Sequence, residues 1–124
     1  MKLIENRPPE NQGAHYSPGV VSGNLLFISG QLSIDPVTRK IPTSISEEAA
    51  LALKNLDDVL KAAGLDKTNV VSCRIYVTSI DYWDEVNDVY ANYFGEHRPA
   101  RAIVPVLPMH FGCNIEIEAV AELS

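Results

Sequence analysis

Hydrophobic residues recur at helical spacing in the middle of the chain, between Ser44 and Gly64. Ser44 and Glu47 have the spacing of a capping box, in which two side chains satisfy backbone N–H groups of the first turn. Gly64 followed by Leu65 is typical of a helix end, because glycine readily adopts the left-handed conformation found there. The apolar positions between these signals are Ala49, Ala52, Leu53, Leu56, Leu60 and Ala63. Their spacing predicts an amphipathic helix.

A second helix is predicted between Asp81 and Gly95. Asp81 is a suitable N-cap because its carboxylate can accept hydrogen bonds from the first turn, and Gly95 is a suitable end. The apolar stripe of this helix consists of Trp83, Val86, Tyr90 and Phe94. Each predicted helix therefore has one apolar side to bury.

Five segments have the short apolar runs or the alternation typical of β-strands, namely residues 20–21, 24–29, 70–78, 101–107 and 113–123. The clearest alternation lies in the third of these segments. Its predicted buried face consists of Val71, Cys73, Ile75 and Val77. The first eleven residues, with Pro8-Pro9, are expected to form an extended lead-in.

The order of these elements predicts an α+β fold, with two helices on one face of a mixed sheet of about six strands. Two helices cover only one face of such a sheet. The other face still carries the apolar side chains of Val20, Phe27 and Val120. We therefore expect another subunit to cover that face, so the protein is predicted to be an oligomer.

The length and composition fit one domain that spans residues 1–124. Of the 124 residues, 46% are hydrophobic and 21% are charged, which is typical of a soluble globular protein. No apolar run is long enough to span a membrane, and the first residues read as mature protein without a signal peptide. The net charge of −6 is unfavourable for binding nucleic acid or an anionic membrane surface.

The two cysteines, Cys73 and Cys113, lie in predicted strands and lack the spacing of a redox or zinc motif. They are most simply two buried, reduced thiols, and a disulfide between them is the less favoured alternative. Reduced thiols are typical of a cytoplasmic protein, which is the predicted location.

Several common catalytic centres do not fit this sequence. It has none of the glycine-rich phosphate-binding motifs, no HExxH zinc motif and no GxSxG nucleophile motif. The three histidines, His15, His97 and His110, lack the spacing of metal ligands. No metal site is therefore predicted.

Arg101 is the clearest candidate for chemistry, because it opens a predicted strand that is otherwise apolar. A guanidinium at a strand end can bind a carboxylate through two parallel hydrogen bonds. The alternative for Arg101 is a surface ion pair with one of the sixteen acidic residues. Glu116 and Glu118 share one face of the last strand and are either site carboxylates or solvated surface groups. Asn87 is either an exposed helix residue or a positioning group.

Two segments around these candidates resemble the signature of the Rid, or YjgF-type, family of reactive-intermediate deaminases. They are Pro99-Ala100-Arg101-Ala102 and Ile115-Glu116-Ile117-Glu118-Ala119. Further segments in the family's order and spacing are His15-Tyr16-Ser17, Phe27-Ile28-Ser29-Gly30-Gln31, Val86-Asn87-Asp88-Val89-Tyr90 and Phe94. The resemblance covers nearly the whole chain from about residue 13. It implies a subunit of the bacillary chorismate-mutase-like α+β fold that forms homotrimers with clefts between subunits.

The resemblance also implies an activity, the hydrolysis of 2-imine and 2-enamine acids such as 2-iminobutyrate and 2-aminoacrylate to 2-oxo acids and ammonia. In this role Arg101 would bind the substrate carboxylate, and Glu116 would hold and polarise the attacking water. Tyr16, Ser29 and Asn87 would line the pocket. No cofactor is expected, because a protonated imine is already electrophilic.

Two positions depart from the family pattern. The family often has Gly-Pro before the tyrosine, where this chain has Ala14-His15, and often has cysteine where this chain has Ile103. A backbone N–H, rather than a thiol, is therefore the group of Ile103 that we expect at the ligand. His110, in the loop between the last two strands, is either a proton shuttle at the pocket edge or an exposed turn residue.

Two other functions remain open from the sequence. A regulatory trimer would use the same arginine pocket to bind a 2-oxo acid without turnover. A ribonuclease or translation inhibitor, a function attached to some relatives, is disfavoured by the charge of −6 and by the absence of a basic stripe. Release of ammonia or 2-oxo acid from an imine separates the deaminase from the regulatory trimer.

Overall fold

The computed structural model describes residues 1–124 and contains six β-strands and two α-helices. The strands are β1 (Lys2–Ile4), β2 (Gly19–Ser22), β3 (Leu25–Leu32), β4 (Val70–Val77), β5 (Ala100–Pro105) and β6 (Ile115–Glu122). The helices are α1 (Ile45–Ala62) and α2 (Trp83–Phe94). Neither helix is long and apolar enough to cross a membrane. The predicted α+β class and both predicted helices are confirmed.

The strands form one mixed sheet in the order β1-β2-β3-β6-β4-β5, which leaves β5 at an edge. The pair β4–β5 is parallel, and every other neighbouring pair is antiparallel. Both helices share a single core of 20 buried residues with one face of the sheet. The residues that β6 contributes to this core are Ile115, Ile117, Ala119 and Ala121. The predicted alternation of β6 is therefore confirmed.

The face of the sheet opposite the helices, called the open face below, carries a row of small and apolar residues across all six strands. The strand register aligns Leu3, Val20, Phe27, Val120, Ser72 and Ala100 side by side. Phe27 remains 46% exposed in the single chain. An apolar face without a cover, as the sequence predicts, is therefore present.

Two predictions are wrong, one for the first residues of the chain and one for the start of α2. The N-terminal residues are more than an extended lead-in, because β1 joins the sheet with Leu3 opposite Val20. Asp81 does not cap α2 but lies in a short 3₁₀ turn before it. There the Asp81 N–H donates to the Ser79 hydroxyl at 3.2 Å, so a serine caps the turn that leads into the helix.

The predicted buried face of β4 is wrong at one position. Val71 is 45% exposed, whereas Val70 is buried in the core. The pairing of β4 with β6 shifts between Val70 and Ser72, and such a bulge turns one residue out of the alternation. The other three predicted positions on this face are buried.

Helix α1 begins and ends at the predicted signals. The Ser44 hydroxyl accepts a hydrogen bond from the Glu47 N–H at 3.2 Å, and the Glu47 carboxylate accepts one from the Ser44 hydroxyl at 2.9 Å. Gly64 has a φ of 76°, and the Leu65 N–H then donates to the Leu60 carbonyl at 2.9 Å. The first turn and the last carbonyls are thereby satisfied.

A buried carboxylate ties α1 to the ends of two strands. Glu48 is only 3% exposed and accepts a hydrogen bond from the Ser33 hydroxyl at 2.7 Å. It also accepts bonds from the backbone N–H and the side-chain amide of Asn114, at 2.8 Å and 2.9 Å. Ser33 follows β3 and Asn114 precedes β6, so Glu48 holds these two strands in place beside each other.

Both cysteines are free and buried, as the sequence predicts. Burial raises the pKa of the Cys73 thiol to about 11, and burial also raises the pKa of Cys113. Both groups are therefore neutral thiols at pH 7 and are poor nucleophiles.

Candidate functional site

A cavity of about 940 Å³ lies at the end of β3 and extends over β4 and β6 on the open face. Five of the residues considered from the sequence line it: Tyr16, Ser29, Glu116, Glu118 and His110. They come from the segment before β2, from β3, from β6 and from the turn that precedes β6. The fold therefore brings together residues that are 100 positions apart, since 116 − 16 = 100.

Ser29, at a register shift in β3, bonds the Tyr16 segment to the sheet. The register between β3 and β6 shifts where Ser29 lies. The Ser29 N–H donates to the Pro18 carbonyl at 2.9 Å, and its hydroxyl donates to the Ser17 carbonyl at 2.6 Å. Ser29 therefore positions the chain that follows Tyr16, in addition to lining the cavity.

Glu116 is the free carboxylate of this cavity. It is half-buried, and no protein group forms a hydrogen bond or an ion pair with it. Glu118, two residues further along the strand, differs because it accepts a hydrogen bond from the Tyr76 hydroxyl and lies 3.8 Å from the Arg74 guanidinium. Of the two carboxylates, only Glu116 therefore has no protein partner for either of its oxygens.

The surroundings of Glu116 favour its protonated form. Burial raises the pKa of the Glu116 carboxyl above its ordinary value, and the negative charge of Glu118 raises it further. A carboxylate with a raised pKa accepts a proton from water more readily than an ordinary glutamate does. Glu116 is therefore suited to act as a general base.

Gly30 makes room for this carboxylate. A β-carbon built on Gly30 would lie 2.8 Å from the carboxyl carbon and from Oε2 of Glu116, which is too close for any real contact. The Glu116 side chain thus lies directly over the backbone of β3, where only glycine leaves the space.

Arg101 lies at the edge strand β5 beside α2. Its Nη1 donates to the Asn87 side-chain oxygen at 2.6 Å. The guanidinium carbon lies 5.4 Å from the Trp83 ring centre and 5.1 Å from the Tyr90 ring centre. None of the ion pairs in the structure includes Arg101, so the alternative of a surface salt bridge is not found. Asn87 and the two rings orient the guanidinium and leave its charge unpaired.

Ile103 lies two residues after Arg101 on the same face of β5. It is half-buried and packs against the hydrophobic core. Its side chain anchors the edge strand. Contact between the backbone of Ile103 and a ligand stays a prediction.

The candidate residues form two separate clusters in one chain. The carboxylate cluster consists of Tyr16, Ser29 and Glu116, and the arginine cluster consists of Asn87, Arg101 and Ile103. In β4, Cys73 lies opposite Arg101, and Tyr76 lies opposite Glu116. Cys73 and Tyr76 are three residues apart in a strand, so their side chains point to opposite faces of the sheet. A single chain therefore does not bring both clusters to one ligand.

Comparison with known proteins identifies the family. The family model described as endoribonuclease L-PSP matches residues 5–123. The 2-iminobutanoate/2-iminopropanoate deaminase of Rattus norvegicus is 41% identical over 120 residues, which cover 96% of this chain and 87% of that protein. The Homo sapiens protein of the same name is 42% identical over 107 residues, which cover 86% of this chain and 78% of that protein. The chain belongs to the Rid family.

Solved structures show the same Rid-family subunit. A putative endoribonuclease from Thermotoga maritima matches with a TM-score of 0.92 at 39% identity and covers 100% of this chain and 98% of that chain. TdcF of E. coli with bound serine also matches with a TM-score of 0.92, at 33% identity and with 100% of both chains covered. The mixed six-stranded sheet with two helices is therefore common to these proteins.

Sequence reasoning missed two features of this Rid-family site. Gly30 gave a usable signal, because a glycine inside a strand-like run often marks a place where another group lies close to the backbone. The bond that occupies Glu118 gives no sequence signal, because Tyr76 is 42 residues away on the neighbouring strand.

Replacing Gly30 by alanine tests the position of the carboxylate. We expect Gly30→Ala to lower imine hydrolysis by about 10- to 100-fold, because a displacement of about 1 Å costs that much when a reacting group is misplaced. The melting temperature should change little, because the atoms in the way belong to the flexible end of Glu116.

The matched control for this variant is Gly13→Ala. A β-carbon on Gly13 meets nothing within 4 Å, so both activity and melting should stay at the wild-type level. Full activity in Gly30→Ala would show that the observed position of the Glu116 carboxylate is not the active one.

Proposed function

We propose that this Rid-family protein hydrolyses 2-imino acids and their enamine forms, such as 2-iminobutyrate and 2-aminoacrylate, to 2-oxo acids and ammonia. The observation that carries the proposal is the half-buried, unpaired carboxylate of Glu116 in a chain whose Arg101 is also free of acidic partners. The names of the rat and human relatives support the same chemistry. Removal of such reactive acids would limit damage to other cell components.

The two clusters would divide the reaction between them. Arg101 would bind the substrate carboxylate through two N–H groups and so fix the imine carbon. Glu116 would take a proton from water while the water oxygen forms a bond to the carbon of the protonated imine. The C=N electron pair moves to nitrogen at the same time, which gives a carbinolamine.

The second half of the reaction returns the proton. Protonated Glu116 would donate its proton to the carbinolamine nitrogen, and the protonated amine is then a leaving group. The C–N bond then breaks, the carbinol oxygen forms the carbonyl, and its proton leaves with ammonia as ammonium. One protonated imine and one water thus give one 2-oxo acid and one ammonium ion, with no cofactor in the balance.

We propose further that the complete site forms between two copies of the chain. The edge strand of one copy would bring its arginine cluster to the carboxylate cluster on the open face of another. The open face of β5 carries Ala100, Ala102 and Val104, whose small side chains permit a close approach. The family resemblance implies a chorismate-mutase-like homotrimer with three such clefts.

Light scattering tests this assembly. We expect a mass about three times that of one 13.6 kDa chain, and we expect it to persist on moderate dilution because each copy covers an apolar face of the next. A mass near that of one chain would exclude a site shared between copies.

A coupled assay tests the activity. Threonine dehydratase acting on threonine supplies 2-iminobutyrate. We expect added protein to accelerate the release of 2-oxobutyrate and ammonia in proportion to its concentration, while the dehydratase rate stays constant. A heat-denatured sample provides the baseline.

The same measurements address the regulatory alternative. Binding of 2-oxobutyrate detected by calorimetry, without faster imine hydrolysis, would favour a trimer that senses 2-oxo acids. A ribonuclease, which the description of the family model names, would need cations along an RNA backbone. The net charge of −6 does not favour that function.

A further inference from the structure

We propose that Arg7 is a positioning residue that holds Tyr16 in the carboxylate cluster. The inference rests on the proposed function, which places Tyr16 in the substrate pocket. Arg7 lies between β1 and β2, nine residues before Tyr16, and it also lines the cavity. No motif in the sequence singles it out.

One guanidinium contacts both the backbone and the ring of the Tyr16 segment. Nη2 of Arg7 donates to the Tyr16 carbonyl at 2.8 Å, and Nη1 donates to the Ala14 carbonyl at 3.4 Å. The guanidinium carbon also lies 4.3 Å from the centre of the Tyr16 ring. The planar group therefore restrains the chain on both sides of His15 and orients the ring at the same time.

Glu5 fixes Arg7 in turn. Its Oε2 accepts from Nε of Arg7 at 2.8 Å, and its Oε1 accepts from Nη2 at 2.7 Å. The bond from Arg7 lowers the pKa of the Glu5 carboxyl to about 2, so the pair stays charged throughout the neutral range. The Arg7 side chain is only 12% exposed, which is unusual for an arginine in a surface segment.

The Tyr16 segment needs such a restraint. It lies outside regular secondary structure, between a 3₁₀ turn at Pro9–Asn11 and the start of β2, and Tyr16 is 49% exposed. Ala14-His15 stands where the family often has Gly-Pro, so no proline ring limits the backbone before the tyrosine. The contacts of Arg7 supply a restraint from outside the segment.

A double-mutant cycle tests this role. We expect Arg7→Ala to lower kcat/KM for 2-iminobutyrate by about 10-fold, mainly through KM, because a loosely held ring binds substrate less often in the correct geometry. In a Tyr16→Ala background the same change should alter kcat/KM by less than about two-fold, because Arg7 then has no ring to hold. Losses that multiply in the double variant would overturn the proposal.

Two further variants separate positioning from charge. Arg7→Lys keeps the charge but loses the planar fork, so it should recover only a small part of the lost kcat/KM. Lys61→Ala breaks an ion pair of 2.7 Å on α1 and should leave kcat and KM unchanged. Full recovery with lysine would show that charge alone matters and would contradict the proposed role.

Hydrogen exchange keeps this test independent of the activity. If the wild-type protein hydrolyses no imine, the proposed function fails, but the exchange of backbone amides in residues 14–17 still reports on Arg7. We expect Arg7→Ala to accelerate exchange in this segment and to leave the amides of β3 and β6 unchanged. Unaltered exchange in residues 14–17 would overturn the inference.

Discussion

Replacement of Arg101 by alanine is expected to abolish 2-oxo acid binding and to lower kcat/KM for imine hydrolysis by about 1,000-fold. The guanidinium is oriented by a bond of 2.6 Å to Asn87 and by the rings of Trp83 and Tyr90, and no acidic residue neutralises it. A substrate carboxylate would take two charge-assisted hydrogen bonds from it, each worth roughly 1.5–3 kcal/mol. Loss of both bonds accounts for an effect of this size.

Three measurements check the Arg101 prediction. Calorimetry with 2-oxobutyrate reports binding, and the coupled assay reports turnover. Thermal unfolding should change little, because Ile103, the side chain of β5 that packs against the core, stays in place. Arg101→Lys should retain weak binding and poor turnover, since lysine lacks the planar fork. Arg98→Ala is the matched control, because Arg98 is exposed and forms no ion pair. Normal binding and turnover in Arg101→Ala would refute the site assignment.

The second large effect is expected at Glu116. Glu116→Gln keeps the shape of the side chain but removes the proton acceptor, so hydrolysis should fall by about 100-fold or more. The raised pKa means that the folded protein holds the Glu116 proton more tightly than an ordinary glutamate does. That contribution to stability is present at low pH and is lost as the pH rises through the folded-state pKa. At neutral pH the glutamine variant should therefore be at least as stable as the wild type.

The pH profile tests whether Glu116 is the base. Activity of the wild type should fall on the acid side at a pH above the ordinary pKa of a glutamate, and this limb should disappear in Glu116→Gln. Glu118→Gln is the informative control, because removal of the neighbouring negative charge lowers the pKa of Glu116 and moves the limb to lower pH. Unchanged turnover in Glu116→Gln would mean that another group activates the water, and His110 in the same cavity would be the next candidate.

The helices were predictable because their signals are local. Ser44, Glu47 and Gly64 each act within a few residues, and the apolar period of α1 needs no knowledge of the rest of the chain. Apart from the N-cap of α2, the wrong predictions concern features that depend on a partner strand. β1 has only three residues and is stabilised by pairing with β2, and the exposure of Val71 follows from a bulge against β6.

The site was predictable only in part, for a similar reason. Arg101 and Glu116 stand out by their places in apolar strands and by the family resemblance. Their separation onto two faces depends on the register of β4, which pairs with β5 on one side and with β6 on the other. Register of this kind is a property of the assembled sheet, and no local pattern in the chain reveals it.

The placement of Arg101 and Glu116 on opposite faces has a genetic consequence. In the proposed trimer, each cleft takes its arginine from one chain and its carboxylate from the next. The two loss-of-function variants therefore remove groups from opposite sides of the cleft. When Arg101→Ala and Glu116→Gln chains assemble at random, about one quarter of the clefts would receive both intact groups. Two inactive proteins would therefore recover activity after subunit exchange, and two defective alleles in one cell would complement each other.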